Sequence, residues 1–87
     1  MDNDVINTKD LKLLVSENVS LSYLVSAKQT GYVLSIQSYG GKRVLMSQRG
    51  SIRTFRTLDA VFSFLRDLNV NKFEVQILGT DLDEKIG

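Results

Sequence analysis

Leu58, Val61, Phe62, Leu65 and Leu68 recur at helical spacing, while Phe73, Val75 and Ile77 alternate with Glu74 and Gln76. The change from a period near 3.6 to a period of 2 predicts a helix followed by a strand. Thr57 is a good N-cap for that helix, Asp59 complements the dipole in its first turn, Phe64 widens its apolar stripe, and Asn69 can take the left-handed position that ends it. This is the expected main core helix. Upstream, Tyr32–Tyr39 and Lys42–Gln48 are two β-rich runs separated by Gly40-Gly41, which predicts a hairpin with a two-residue turn. Closing the turn there sets Tyr39 opposite Lys42, Gln37 opposite Val44 and Ile36 opposite Leu45. Leu34, Ile36 and Leu45 then share one face. The other face collects Val33, Ser35, Gln37, Lys42, Val44, Met46 and Gln48, a mixed surface and the natural candidate for binding.

The remaining elements are shorter. Thr8 can cap a helix carrying Asp10 in its first turn and Leu11, Leu14 and Val15 at helical spacing, ending near Asn18. Its stripe is narrow, so it is expected on the rim of a sheet. Leu21–Ala27 alternates as a strand would, with a helix as the alternative reading, and Lys28–Gly31 makes a turn into the next run. Ser51–Phe55 can form a further short strand, with Ile52 and Thr54 on one side and Arg53 and Phe55 on the other. The whole predicts a single α+β domain over residues 8–78. Its antiparallel sheet has three to five strands, with one main helix on one face and a short N-terminal helix. Residues 1–7 are expected to be a loose tail and residues 79–87, with Asp81, Asp83 and Glu84, an acidic one.

Composition changes this picture mainly by exclusion. The chain has 87 residues, enough for one modest core. Its 43% hydrophobic and 24% charged residues are ordinary for a globular protein. With no cysteine and no histidine there is neither a disulfide framework nor a thiolate metal site, and the commonest metal ligand and general base are both missing. No cofactor or metal is expected. The serines, Ser35, Ser38 and Ser47 among them, have no histidine to activate them, and the carboxylates gather towards the two ends of the chain, so the expectation is a protein that is not an enzyme. Asp81-Leu82-Asp83-Glu84 lacks the spacing of a calcium loop, and Gly40-Gly41-Lys42-Arg43 lacks the helix that follows a phosphate loop. No apolar run approaches the roughly 18 residues of a membrane span, and the acidic start, Met1-Asp2-Asn3-Asp4, is unlike a signal peptide. A cytoplasmic protein without membrane contact is the expectation.

Charge adds the one feature above background. Between Lys28 and Leu58 lie six basic residues, Lys28, Lys42, Arg43, Arg49, Arg53 and Arg56, and no acidic one. That window carries +6 in a chain whose net charge is +1, leaving the remainder at −5. Such segregation can mark a surface for a polyanion, and a small antiparallel sheet can enter the major groove with Arg and Lys on guanine edges or phosphates. It can equally be a solvated sheet face. Lys42, Arg43, Arg49, Arg53 and Arg56 are therefore the candidate nucleic-acid contacts, with Tyr32 and Tyr39 nearby. The predicted register divides Lys42 from Arg43, which favours Arg49, Arg53 and Arg56 around the helix entry. A core this small leaves room for homodimerisation through an edge strand, which would double any basic face.

The run Gly40-Gly41-Lys42-Arg43-Val44-Leu45, followed by Arg49-Gly50-Ser51-Ile52-Arg53-Thr54-Phe55, Leu58-Asp59-Ala60, Phe64-Leu65 and Phe73-Glu74-Val75, resembles the small plasmid partition-associated proteins of the ParC family over about residues 40 to 75. The hairpin and following helix, residues 31 to 68, are also similar to the three-stranded DNA-binding domains at the amino ends of tyrosine-type integrases. Those integrases differ in lacking the extra strand expected here, Lys72–Leu78, and in carrying a catalytic integrase domain. Both resemblances imply plasmid or mobile-element biology, and the second implies DNA contact by the sheet. The expected function is accordingly an accessory role in plasmid partition or maintenance, with DNA or a nucleoprotein complex as partner. The alternative is a module that docks a plasmid partition or replication protein through a sheet edge or the Val33/Val44/Met46 surface, without DNA contact. An acidic decoy acting through the tails ranks third.

Overall fold

The computed structural model describes residues 4–77 as a small α+β domain of two layers, a six-stranded mixed sheet and two helices on one of its faces. In chain order the elements are β1 (Val5–Asn7), α1 (Thr8–Ser16), β2 (Ser22–Lys28), β3 (Gly31–Ser38), β4 (Gly41–Met46), β5 (Thr54–Phe55), α2 (Leu58–Asp67) and β6 (Glu74–Gln76). The strands are ordered β1-β4-β3-β2-β6, with β5 paired to β3. The antiparallel meander β2-β3-β4 forms the centre. The outer strands β1 and β6 pair parallel to β4 and β2.

The sheet is therefore mixed and has more strands than alternation along the chain suggested. Strands that run in the same direction need a long crossover connection, usually a helix. Each helix here carries the chain across two intervening strands: α1 links β1 to β2, and α2 links β5 to β6. Both crossings stop in the same way. Asn18 and Asn69 take left-handed φ values of 61° and 66°. The next amide turns back on the last helical turn, Val19 donating to the Leu14 carbonyl at 3.2 Å and Val70 to the Leu65 carbonyl at 3.0 Å. Asn69 thus ends α2 at the expected place.

Residues Val5–Asn7 do not belong to a loose tail. They form an edge strand in register with Val44–Met46, and the Ile6 side chain is buried at 3% exposure. Asn7, rather than Thr8, caps α1: its Oδ1 accepts the Asp10 amide at 2.7 Å. Thr57 caps α2 as expected, Oγ1 accepting the Ala60 amide at 3.1 Å.

The β3–β4 hairpin is offset by two residues from the predicted register. Ser38 pairs with Gly41, Gln37 with Lys42 and Ile36 with Arg43, so the two-residue turn is Tyr39-Gly40. Gly41 carries φ +129°, which places the glycine requirement on the first residue of β4. A shift of two preserves the side-chain parity, and the predicted faces survive it. Past Val44 the two strands part. The segment Ile52–Phe55 fills the gap, bridging Met46 through Ile52 and pairing Thr54 with Val33 and Phe55 with Tyr32. The expected strand over Ser51–Phe55 is thereby reduced to two residues and an isolated bridge, and the last strand is shorter than Lys72–Leu78. Leu78 and the acidic segment 79–87 lie outside the described residues.

The core lies between the helices and one face of the sheet. Val25, Leu34 and Leu45 are fully buried there against Leu11 of α1 and Val61 and Leu65 of α2, with Ile6, Tyr23, Ile36, Phe55 and Leu68 around them. Phe62, expected in the buried stripe, is 51% exposed. Leu58 is exposed as well: the buried side of α2 is the narrower line Val61-Leu65-Leu68.

Candidate functional site

The face opposite the helices is the one anticipated as a binding surface. Pairing aligns Val5, Val44, Ser35, Leu24 and Glu74 in one row across five strands, with Val33, Ser26, Gln76 and Thr54 in the next. The bridge Met46–Ile52 continues the apolar part towards one end. Every residue of the buried core points to the other side, so among the described residues no element covers this face. Its centre is nevertheless tightly built. Ser35 is only 6% exposed, and Val5, Leu24, Val33, Val44 and Met46 are half-buried by one another, while Ile52 stands out at 45% exposure.

The five candidate cations do not come together. Lys42 is exposed on this open face, beside Gln37 at the end of β4 next to the Tyr39-Gly40 turn. Arg43, paired with Ile36, is half-buried on the helix-covered side. Arg49 is exposed in the loop beyond the other end of β4, which lies roughly 13 Å from Lys42 by strand rise. That loop is closed by the Ser47 amide donating to the Ser51 carbonyl at 2.7 Å and the Gly50 amide to the Ser47 carbonyl at 3.0 Å. Arg53 faces the core side, its guanidinium 4.7 Å from the centroid of the Phe55 ring and 4.9 Å from that of Phe64. The two rings are 5.4 Å apart and inclined at 57°. Both the stem and the charge of Arg53 are thus used in joining β5 to α2. Arg56 is exposed between β5 and α2.

Of the two tyrosines named with them, Tyr39 is wholly exposed at the hairpin turn, and Tyr32 packs against the core beside Phe55. Of the five candidates, Lys42, Arg49 and Arg56 are exposed, on different elements of the fold.

The matched helix ends create a second feature. Because α1 and α2 both stop at an Asn-Val pair, and β2 and β6 leave side by side, Asn18–Tyr23 and Leu68–Glu74 face each other around a cleft of about 410 Å³. Tyr23 lines it and is buried, and that burial raises the pKa of its hydroxyl above the ordinary tyrosine value. On the far side of residues 70–73, a more open groove of about 540 Å³ runs between that segment and α2. It is floored by Phe62, Leu65, Val70 and Phe73, with Arg66 and Lys72 along it. Reading the chain residue by residue misses both depressions. The visible signal is the repetition of Asn-Val followed by an aromatic residue, Asn18-Val19 before Tyr23 and Asn69-Val70 before Phe73.

Among the described residues, no group of three acidic, histidine or cysteine side chains is placed to hold a metal ion, and no helix is long and apolar enough to cross a membrane. No family model, curated protein or solved structure matches this chain.

Proposed function

We propose that this protein is a non-enzymatic accessory domain that docks a plasmid partition or replication protein, using the uncovered face of its sheet. The observation that supports this reading is the asymmetry of the two layers: both helices pack on one face, and the other presents a half-buried apolar centre with Ser26, Gln37, Thr54 and Gln76 around it and the charged Lys42 and Glu74 at its margins. A sheet face of that composition can meet a partner without leaving charges buried and unpaired. The plasmid setting rests on the resemblance to partition-associated proteins. The test is a pull-down between the purified protein and a plasmid partition ATPase or replication initiator. Association should survive nuclease treatment and weaken on Ile52→Glu, a change at an exposed position of the face. Capture lost on nuclease treatment would sink this reading.

A second reading, direct DNA contact, is favoured by the carboxylate-free stretch from Lys28 to Leu58 and by the exposure of Lys42, Arg49 and Arg56. Lys28 is exposed as well, and with four dispersed cations the salt dependence is expected to be shallow, a slope of log K against log salt of about −4 at most. Titration of duplex DNA at two salt concentrations measures it, and no binding at low salt removes this reading.

A further inference from the structure

We infer that the groove between α2 and residues 70–73 is a docking site for an extended peptide that alternates apolar and acidic residues. This surface is separate from the open sheet face and does not depend on it. Phe62 is an unusual residue to leave half in water on a helix whose neighbouring turns bury Val61 and Leu65. Its ring carries the Arg66 guanidinium at 5.7 Å from the centroid, which holds an apolar plate and a cation together at one wall. Leu65, Val70 and Phe73 continue the apolar lining, and the other cation that lines the groove is Lys72. No carboxylate lines the groove, and among the described residues neither Arg66 nor Lys72 has an ion-pair partner. An apolar trough flanked by two unneutralised cations complements a peptide whose apolar side chains enter the trough while its carboxylates meet Arg66 and Lys72.

The backbone supports the same occupant. β6 follows directly from this segment and, among the described residues, is the outermost strand at its end of the sheet, paired with β2. Val75 stands 42% exposed at its edge, on the helix-bearing face. An extended peptide laid along that edge sends alternate side chains towards α2, the arrangement of strand addition. This edge supports the extended backbone alone: the side chains between those directed at α2 point to the open face, beside Glu74.

The experiment is fluorescence anisotropy of a labelled synthetic peptide alternating Leu with Glu, titrated with the full chain. Saturable binding is expected. Combining Arg66→Glu with Lys72→Glu should weaken it roughly tenfold or more. Phe62→Ser should weaken it comparably, and Lys42→Glu with Arg49→Glu should leave it unchanged. All are exposed positions, and circular dichroism checks that each variant retains the wild-type spectrum. Absence of saturable binding overturns the proposal. So does equal binding of a Leu–Lys peptide, or equal loss in the Lys42/Arg49 variant, which would mark general charge attraction. A full-length variant carrying Asp81→Asn, Asp83→Asn and Glu84→Gln should bind the probe as the wild type does. Much tighter binding would overturn the proposal by assigning the groove to the chain's own acidic segment. Concentration-dependent dimerisation abolished by the Arg66/Lys72 substitutions would overturn it in favour of a second copy.

Discussion

Replacing Gly31 by alanine tests how β5, and through it α2, is fixed to the sheet. Gly31 opens β3 with φ +141°, and a Cβ there would lie 2.4 Å from the Phe55 carbonyl oxygen and 2.7 Å from Thr54 Cγ2. The first contact is with backbone and cannot be relieved by turning a side chain. Gly41 provides the comparison, because its φ of +129° is equally unsuited to a side chain while a Cβ there has nothing within 4 Å. Gly41→Ala should therefore cost only the backbone strain, about 1–3 kcal/mol. Gly31→Ala carries the same strain and must also push Thr54–Phe55 away from Tyr32–Val33. That loosens Phe55, a core residue and the anchor of Phe64 and Arg53. The added loss should be at least about 1 kcal/mol, the scale of a disturbed core contact. Equilibrium urea denaturation followed by far-ultraviolet circular dichroism measures both. With an m-value of about 1 kcal/mol per molar for so small a protein, the Gly31→Ala midpoint should fall at least about 1 M below that of Gly41→Ala. Equal midpoints for the two variants, or a Gly31→Ala midpoint matching the wild type, would refute the close-approach argument.

Two further outcomes follow from particular contacts. Arg53→Ala should cost about 1–2 kcal/mol by removing its place over two rings, Arg53→Met should recover part of that through the retained stem, and Arg49→Ala should be nearly neutral; thermal denaturation of the three decides, and an Arg53→Ala protein as stable as Arg49→Ala would contradict the assignment. Burial raises the Tyr23 pKa in the folded state, so the folded protein holds its proton to higher pH than the unfolded chain, and the associated stability is present below pH 10 and lost as pH rises through the folded value. Denaturation midpoints measured from neutral to alkaline pH should decline less steeply above pH 10 in Tyr23→Phe than in the wild type.

The sequence alone carries the parts whose cause is local. Thr57, Asp59 and Asn69 bracket α2 because capping and the left-handed stop depend on a few adjacent residues. The faces of the hairpin were readable for a similar reason: strand parity withstands an offset of two, so Leu34, Ile36 and Leu45 fall inward whichever glycine closes the turn. The separation of Lys42 from Arg43 follows from the same parity.

What the tertiary structure decided are the relations between distant segments. Val5–Asn7 lacks any strand signal of its own and becomes a strand because Val44–Met46 offers it an edge and the core accepts Ile6. A three-residue pairing has no sequence period to announce it. Arg53 looked like a free cation because nothing near it in sequence is acidic, whereas its partners are aromatic, and one of them, Phe64, comes from a helix that only the fold brings alongside. The dispersal of the basic window has the same origin. Charge can be counted along a chain, but whether charges share a surface depends on where β4 begins, where it ends, and which way β5 turns back.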